Sequence, residues 1–133
     1  MKAILRLFAE LADRVHMSIN PMHPNHRRAQ ARRSFHLASA VSGECEQDLT
    51  LGLKANLETG IVLGQTLASA NHRPLLVFSS SLAIYGGTRD FPLPAVITDD
   101  VRPNPQNSYG AQKLMLETLY ADLARRKEIS IRT

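Results

Sequence analysis

Ile4, Leu7, Phe8, Leu11 and Val15 recur at three- and four-residue intervals, which lays them on one stripe of a helix over Ala3–Val15. The period then stops. Met17 to Arg33 is polar and basic and is interrupted by Pro21 and Pro24, so it reads as a loop or linker. Ser34–Ala38 is a short strand, and Glu46 to about Ala70 is a long helix with Leu49, Leu53, Leu57 and Leu63 among its apolar positions and Gly60 a weak point inside it. Pro74–Ser80 is a second strand, an apolar run that stops abruptly in Ser79, Ser80 and Ser81. Tyr85–Asn107 is a long proline-bearing loop of the type that often covers a site. Ser108–Arg126 is a helix capped by Asn107 or Ser108, and Glu128–Thr133 starts a third strand. Strands that alternate with helices in this order predict an α/β fold with a parallel sheet and right-handed crossovers.

Composition changes this picture little. The chain has 133 residues, 44% of them hydrophobic, so one domain is the ceiling. No apolar run approaches the ~18–20 residues of a membrane span, and Lys2, Arg6, Glu10, Asp13 and Arg14 break up the first fifteen residues, unlike a secretory signal. The single cysteine, Cys45, excludes an internal disulfide and suits a reducing, cytoplasmic setting. It reads as a small, half-buried residue after the strand, not a nucleophile.

Charge is more informative. Residues 1–33 hold seven Lys/Arg and two Asp/Glu, a net of +5, whereas residues 34–133 hold nine and ten, a net of −1. The basic excess therefore belongs to the first third. Arg27, Arg28, Arg32 and Arg33 form a cluster suited to phosphates, but no aromatic residue is interleaved for base stacking, so a solvated charge run is favoured over a nucleic-acid tether. His23 and His26 flank Pro24 with no carboxylate or thiol close by, which does not describe a metal site.

Chemistry concentrates near Tyr109 and Lys113, four residues apart and hence on one face of the predicted helix. A phenol gives up its proton only near pH ~10 in water, so it becomes an acid–base group at neutral pH once something stabilises its phenolate. A neighbouring ammonium does so. Ser81, at the end of the second strand, supplies a hydroxyl able to hold the same substrate oxygen while the tyrosine moves the proton. Ligands of open α/β sheets bind at such strand ends.

Taken in order, Phe35-His36-Leu37-Ala38, Asn56, Ser79 to Gly86 and Pro105 to Lys113 resemble the middle of an extended short-chain dehydrogenase/reductase of the NAD-dependent epimerase/dehydratase type, closest to its sugar-acid dehydrogenases. The resemblance covers Ser34 to Thr133. It implies a partial Rossmann-type domain over 34–133, preceded by a helix and basic leader over 1–33 that do not match. It implies a catalytic Ser81, Tyr109 and Lys113, with Asn56 supporting the lysine through water. It also implies NAD or NADP as cofactor, bound in part by Leu37, Ala38, Tyr109 and Lys113, and a small sugar or sugar-acid substrate. His36 would contribute mainly backbone contacts, with no catalytic role for its side chain. Dehydratases of the family carry an Asp-Glu pair after the hydroxyl residue; Leu82 and Ala83 stand here, leaving dehydrogenase or epimerase chemistry.

Two departures stand out. The family reads Gly-Thr three residues after its asparagine, where this chain reads Thr59-Gly60, which leaves that helix contact open. Neither Gly-x-Gly-x-x-Gly nor Gly-x-x-Gly-x-x-Gly occurs, and the first glycine is Gly43, so the phosphate-binding turn is missing. The expectation is a fragment, lacking that turn and the substrate lobe and weak or inactive alone. The alternatives are a non-catalytic remnant that self-associates through a bare strand edge and helix faces, or a domain tethered to nucleic acid by its basic leader.

Overall fold

The computed structural model describes residues 32–70 and 72–133. The helix expected over Ala3–Val15 and nearly all of the basic linker lie outside them. Three strands, β1 (Arg33–His36), β2 (Leu75–Phe78) and β3 (Ser130–Arg132), form a parallel sheet in the order β1-β2-β3. Arg33 lies opposite Leu75, and Leu75 opposite Ser130. The α/β reading holds, and its sheet is the parallel one expected.

Alternation along these strands decides what is covered. His36, Leu76 and Phe78 point to the helix-bearing face and are buried, whereas Phe35, one residue earlier, is 65% exposed on the other. Leu67, Leu76, Phe78, Leu116, Tyr120 and Ile129 make one core between this face and the helices. The first strand is shorter at its end than expected. Its last rung is the bond from Ser79 N–H to the His36 carbonyl, after which Leu37 and Ala38 pair with no strand among the described residues and form a loop.

The long helix expected from Glu46 is four pieces. Helix α1 (Ser42–Gln47) ends at Asp48, whose extended backbone (φ −139°, ψ 94°) breaks the helix and whose side chain accepts from Leu51 N–H to start α2 (Leu49–Gly52). A π-helical segment over Leu53–Glu58 follows, then α3 (Thr59–Ala68). The π segment has a geometric use. Gly52, Asn56, Gly60 and Gly64 are all buried and lie four apart, a series that drifts by about 40° per step on a 3.6-residue helix. The wider π turn brings the series back toward one neighbour.

That neighbour is α4 (Ser108–Arg125), capped by the Asn107 side chain accepting from Gly110 N–H. Gly60 is therefore no weak point. A Cβ there would lie 2.5 and 2.6 Å from the two methyls of Leu116, so only a bare backbone lets the helices cross this closely. Gly60 itself makes the contact that the Thr59-Gly60 order left open.

Candidate active site

Four elements converge on the first turn of α4. Below it lies the carboxyl end of β2, where three serines do three different things. Ser79 offers its carbonyl to Lys113 Nζ at 2.8 Å. Ser80 buries its hydroxyl without a hydrogen-bond partner among the described residues. Ser81 caps a 3-10 turn, Leu82–Tyr85, its Oγ accepting from Ala83 N–H at 3.2 Å. A hydroxyl that accepts one bond still has its own proton to donate, so Ser81 remains able to hold a substrate oxygen.

The 3-10 turn touches α4 at Gly110, where an added Cβ would lie 2.8 Å from the Ala83 carbonyl carbon and closer still to its oxygen. Gly110 follows Tyr109 directly. This close approach brings the segment behind Ser81 against the turn that carries the tyrosine.

Lys113 is 2% exposed, and its ammonium sits 5.5 Å from the Tyr109 ring centroid and 4.9 Å from that of Phe78. Burial lowers its pKa from the usual lysine value. A charge so sheltered from water acts on its neighbours with little damping. The structure thus brings Tyr109, Lys113 and the serine-bearing strand end together.

Asn56 is placed differently. Its Oδ1 accepts from Ala40 N–H at 2.7 Å, and its Nδ2 faces the Ala40 carbonyl (3.2 Å), Cys45 Sγ (3.3 Å) and Gln112 Oε1 (2.8 Å). The bonds of its buried amide run to Gln112, to Cys45 on α1 and to the loop after β1, and include none directly to Lys113. Leu37 is 66% exposed and Ala38 partly so, on that same loop.

The sequence alone did not single out Gln112, Glu46 or Tyr120. Glu46 accepts from the Ser108 N–H at the start of α4, and these bonds hold its carboxyl below the usual range. Tyr120 donates to the Gly60 carbonyl at 2.9 Å and lies 3.0 Å from His36 Nδ1, so its oxygen accepts from the imidazole N–H. Burial, then the Lys113 charge, push His36 down to about 4, against a weaker opposing bond to the Ala38 backbone. His36 is neutral at ordinary pH, and its side chain has a structural partner, Tyr120, beside the backbone contacts expected of it. Cys45 is completely buried, and burial raises its thiol pKa, which suits packing and not nucleophilic attack.

A nicotinamide cofactor is half accommodated. The residues expected at its reacting end, the loop after β1, Ser81, Tyr109 and Lys113, are all present. Gly52, Gly60, Gly64 and Gly110 are all spent on close packing, Gly86 and Gly87 sit in a loop at positive φ, and Gly43 stands alone in the first turn of α1, so no set of glycines forms a strand-to-helix cradle for a pyrophosphate. Among the described residues no cluster of three His, Cys, Asp or Glu suits a metal ion, and no helix is long and apolar enough to cross a membrane.

Comparison with known proteins agrees with this geometry. The profile of the NAD dependent epimerase/dehydratase family matches residues 22–133. D-erythronate dehydrogenase of Cupriavidus necator is 46% identical over 92 residues, which are 69% of this chain and 27% of that enzyme. The crystal structure of the nucleoside-diphosphate-sugar epimerase from Agrobacterium tumefaciens superposes with a TM-score of 0.68 at 38% identity, covering 75% of this chain and 29% of that one. UDP-glucose 4-epimerase from Brucella ovis in complex with NAD gives a TM-score of 0.66 at 27% identity, covering 75% and 30%. The chain thus spans under a third of the length of these relatives.

Proposed function

The chain belongs to the NAD dependent epimerase/dehydratase family, and from that membership we propose that it carries the proton-transfer half of an NAD-linked dehydrogenase site acting on a small sugar acid. The observation that carries this reading is the sheltered Lys113 ammonium, held by the Ser79 carbonyl at the strand end and 5.5 Å from the Tyr109 ring. Tyr109 takes the proton of a substrate hydroxyl. Lys113 stabilises the phenolate that receives it and reaches the ribose side of the cofactor. Ser81 donates to the substrate oxygen and fixes its direction. Leu37 and Ala38 supply backbone along the cofactor. NAD, when bound, provides the acceptor for the hydride. The sugar-acid preference rests on the likeness to D-erythronate dehydrogenase, and NAD is named from the family's description, a relative of similar identity to the NAD-bound one being complexed with NADPH. The lone buried Cys45 suits a cytoplasmic enzyme. An assay of reduced-nicotinamide formation with a panel of sugar acids, under both cofactors, on residues 34–133 spliced into an intact relative tests the assignment; turnover that survives Lys113→Met rejects it.

Self-association is the second reading. Among the described residues the outer edge of β1 pairs with no strand, and Val62 on α3 and Met115 on α4 are 60% and 51% exposed. We expect light scattering to find a dimer or larger species, and a stable monomer at high concentration rejects this.

A further inference from the structure

We infer that Ser108 and Gln112 are positioning residues for Tyr109 and Lys113, gripped by Glu46 and Asn56 in a two-point clamp between the β1–β2 crossover and the first turn of α4. Residues four apart on a helix form one row, so 108 and 112 make a row about 100° round from 109 and 113. Each residue of the pair assigned to chemistry is thus preceded by one that the crossover holds. At the first point, the Glu46 carboxylate accepts from Ser108 N–H. At the second, Asn56 Nδ2 donates to Gln112 Oε1 at 2.8 Å, with both side chains buried. The same asparagine amide is fixed on both the N–H and the carbonyl of Ala40. A single amide therefore ties the loop carrying Leu37 and Ala38 to the residue before Lys113. Besides the support through water that the family resemblance implies, Asn56 is connected to the lysine through Gln112 and the helix backbone. Two anchors one turn apart fix both the rotation of that turn and its depth. Packing of the glycine series alone leaves its pitch toward the strand end unset.

This inference rests on the reading that Tyr109 and Lys113 carry the reaction, but its test does not use turnover. The readout is the titration of the Lys113 ammonium, followed by NMR on the full chain with isotopically labelled lysine and assigned with Lys113→Arg. In the unsubstituted chain it falls below the ordinary lysine value. Gln112→Leu removes the acceptor while keeping bulk, and Glu46→Ala removes the outer anchor at an exposed position. In both, amide signals away from the first turn of α4 should stay in place while the Lys113 titration moves up, because water reaches the ammonium. Glu46→Gln keeps an oxygen for Ser108 N–H and should leave the titration where it was. A folded Glu46→Ala chain with an unmoved Lys113 overturns the clamp, as does a Glu46→Gln chain that shifts like Glu46→Ala. If Gln112→Leu does not fold, the two Glu46 variants decide. Loss of the functional reading, through an active site that tolerates Tyr109→Phe, would leave these titrations unchanged.

Discussion

Replacing Gly110 by Ala adds one methyl group where the 3-10 turn behind Ser81 meets the catalytic-type helix. In the middle of a helix the exchange normally stabilises by up to ~1 kcal/mol, through lower backbone entropy and better propensity. Here the added carbon would lie 2.8 Å from the Ala83 carbonyl carbon and nearer still to its oxygen, and 3.2 Å from Asn107 Oδ1, the oxygen that caps the helix. Backbone cannot rotate out of the way as a side chain can, so the start of α4 must move. Overpacking of this kind costs about 1–3 kcal/mol, and with a backbone obstacle the upper part of that range applies. After the propensity gain, a net loss of about 1–2 kcal/mol is expected. Gly43→Ala is the matched control, since nothing lies within 4 Å of its added carbon; it should be neutral or stabilising by up to ~1 kcal/mol. Urea unfolding of both variants gives the comparison, with a lowered midpoint at unchanged slope for Gly110→Ala. A Gly110→Ala midpoint equal to or above that of the unsubstituted chain would refute the close approach, and with it the route by which Ser81 and Tyr109 are brought together.

Two further outcomes are expected. His36, at about 4 in the fold against 6.5 when free, is neutral while folded, so its contribution is complete above about pH 6.5 and is lost as pH falls toward 4; 2.5 units amount to on the order of 3 kcal/mol, and His36→Gln should flatten that part of the stability profile, which an unchanged profile would contradict. Calorimetric titration with NAD should show weak or no binding, since no glycine of the chain sits in a pyrophosphate cradle; a micromolar dissociation constant would mean that a phosphate site of another kind exists.

Much of this was legible in the sequence, and what was not has a common cause. The α4 helix starts where Asn107 announces it, because a cap is a local signal. The strand of Leu75–Phe78 stands out because it is the middle strand of a parallel sheet and apolar throughout, with Leu76 and Phe78 buried and Leu75 and Val77 half-buried. The break at Asp48 and the π segment after it were not visible as such, since periodicity over one helix cannot register how closely Leu116 approaches Gly60. Asn56 and Gln112 meet across 56 residues, and the partner of a buried amide is a tertiary fact. One trace was present: Gly52, Asn56, Gly60 and Gly64 repeat every four residues, a period that no straight α-helix keeps on one face. Tyr109 and Lys113 were found because their spacing alone puts them together. Ser81 needed the strand end, and Glu46 needed the folded crossover.

The central claim, that Tyr109 is the proton-transferring group of an NAD-linked site, is tested most directly by splicing residues 34–133 into an intact D-erythronate dehydrogenase in place of its matching segment and measuring turnover before and after Tyr109→Phe. The relative supplies the rest of the cofactor and substrate site, and the substitution removes one oxygen while keeping the ring. The hybrid should oxidise its sugar acid with NAD, and Tyr109→Phe should lower turnover by about 10²- to 10⁴-fold, the scale of a general acid–base group. A folded, active hybrid that keeps its rate through Tyr109→Phe would show the tyrosine to be a packing residue and contradict the account.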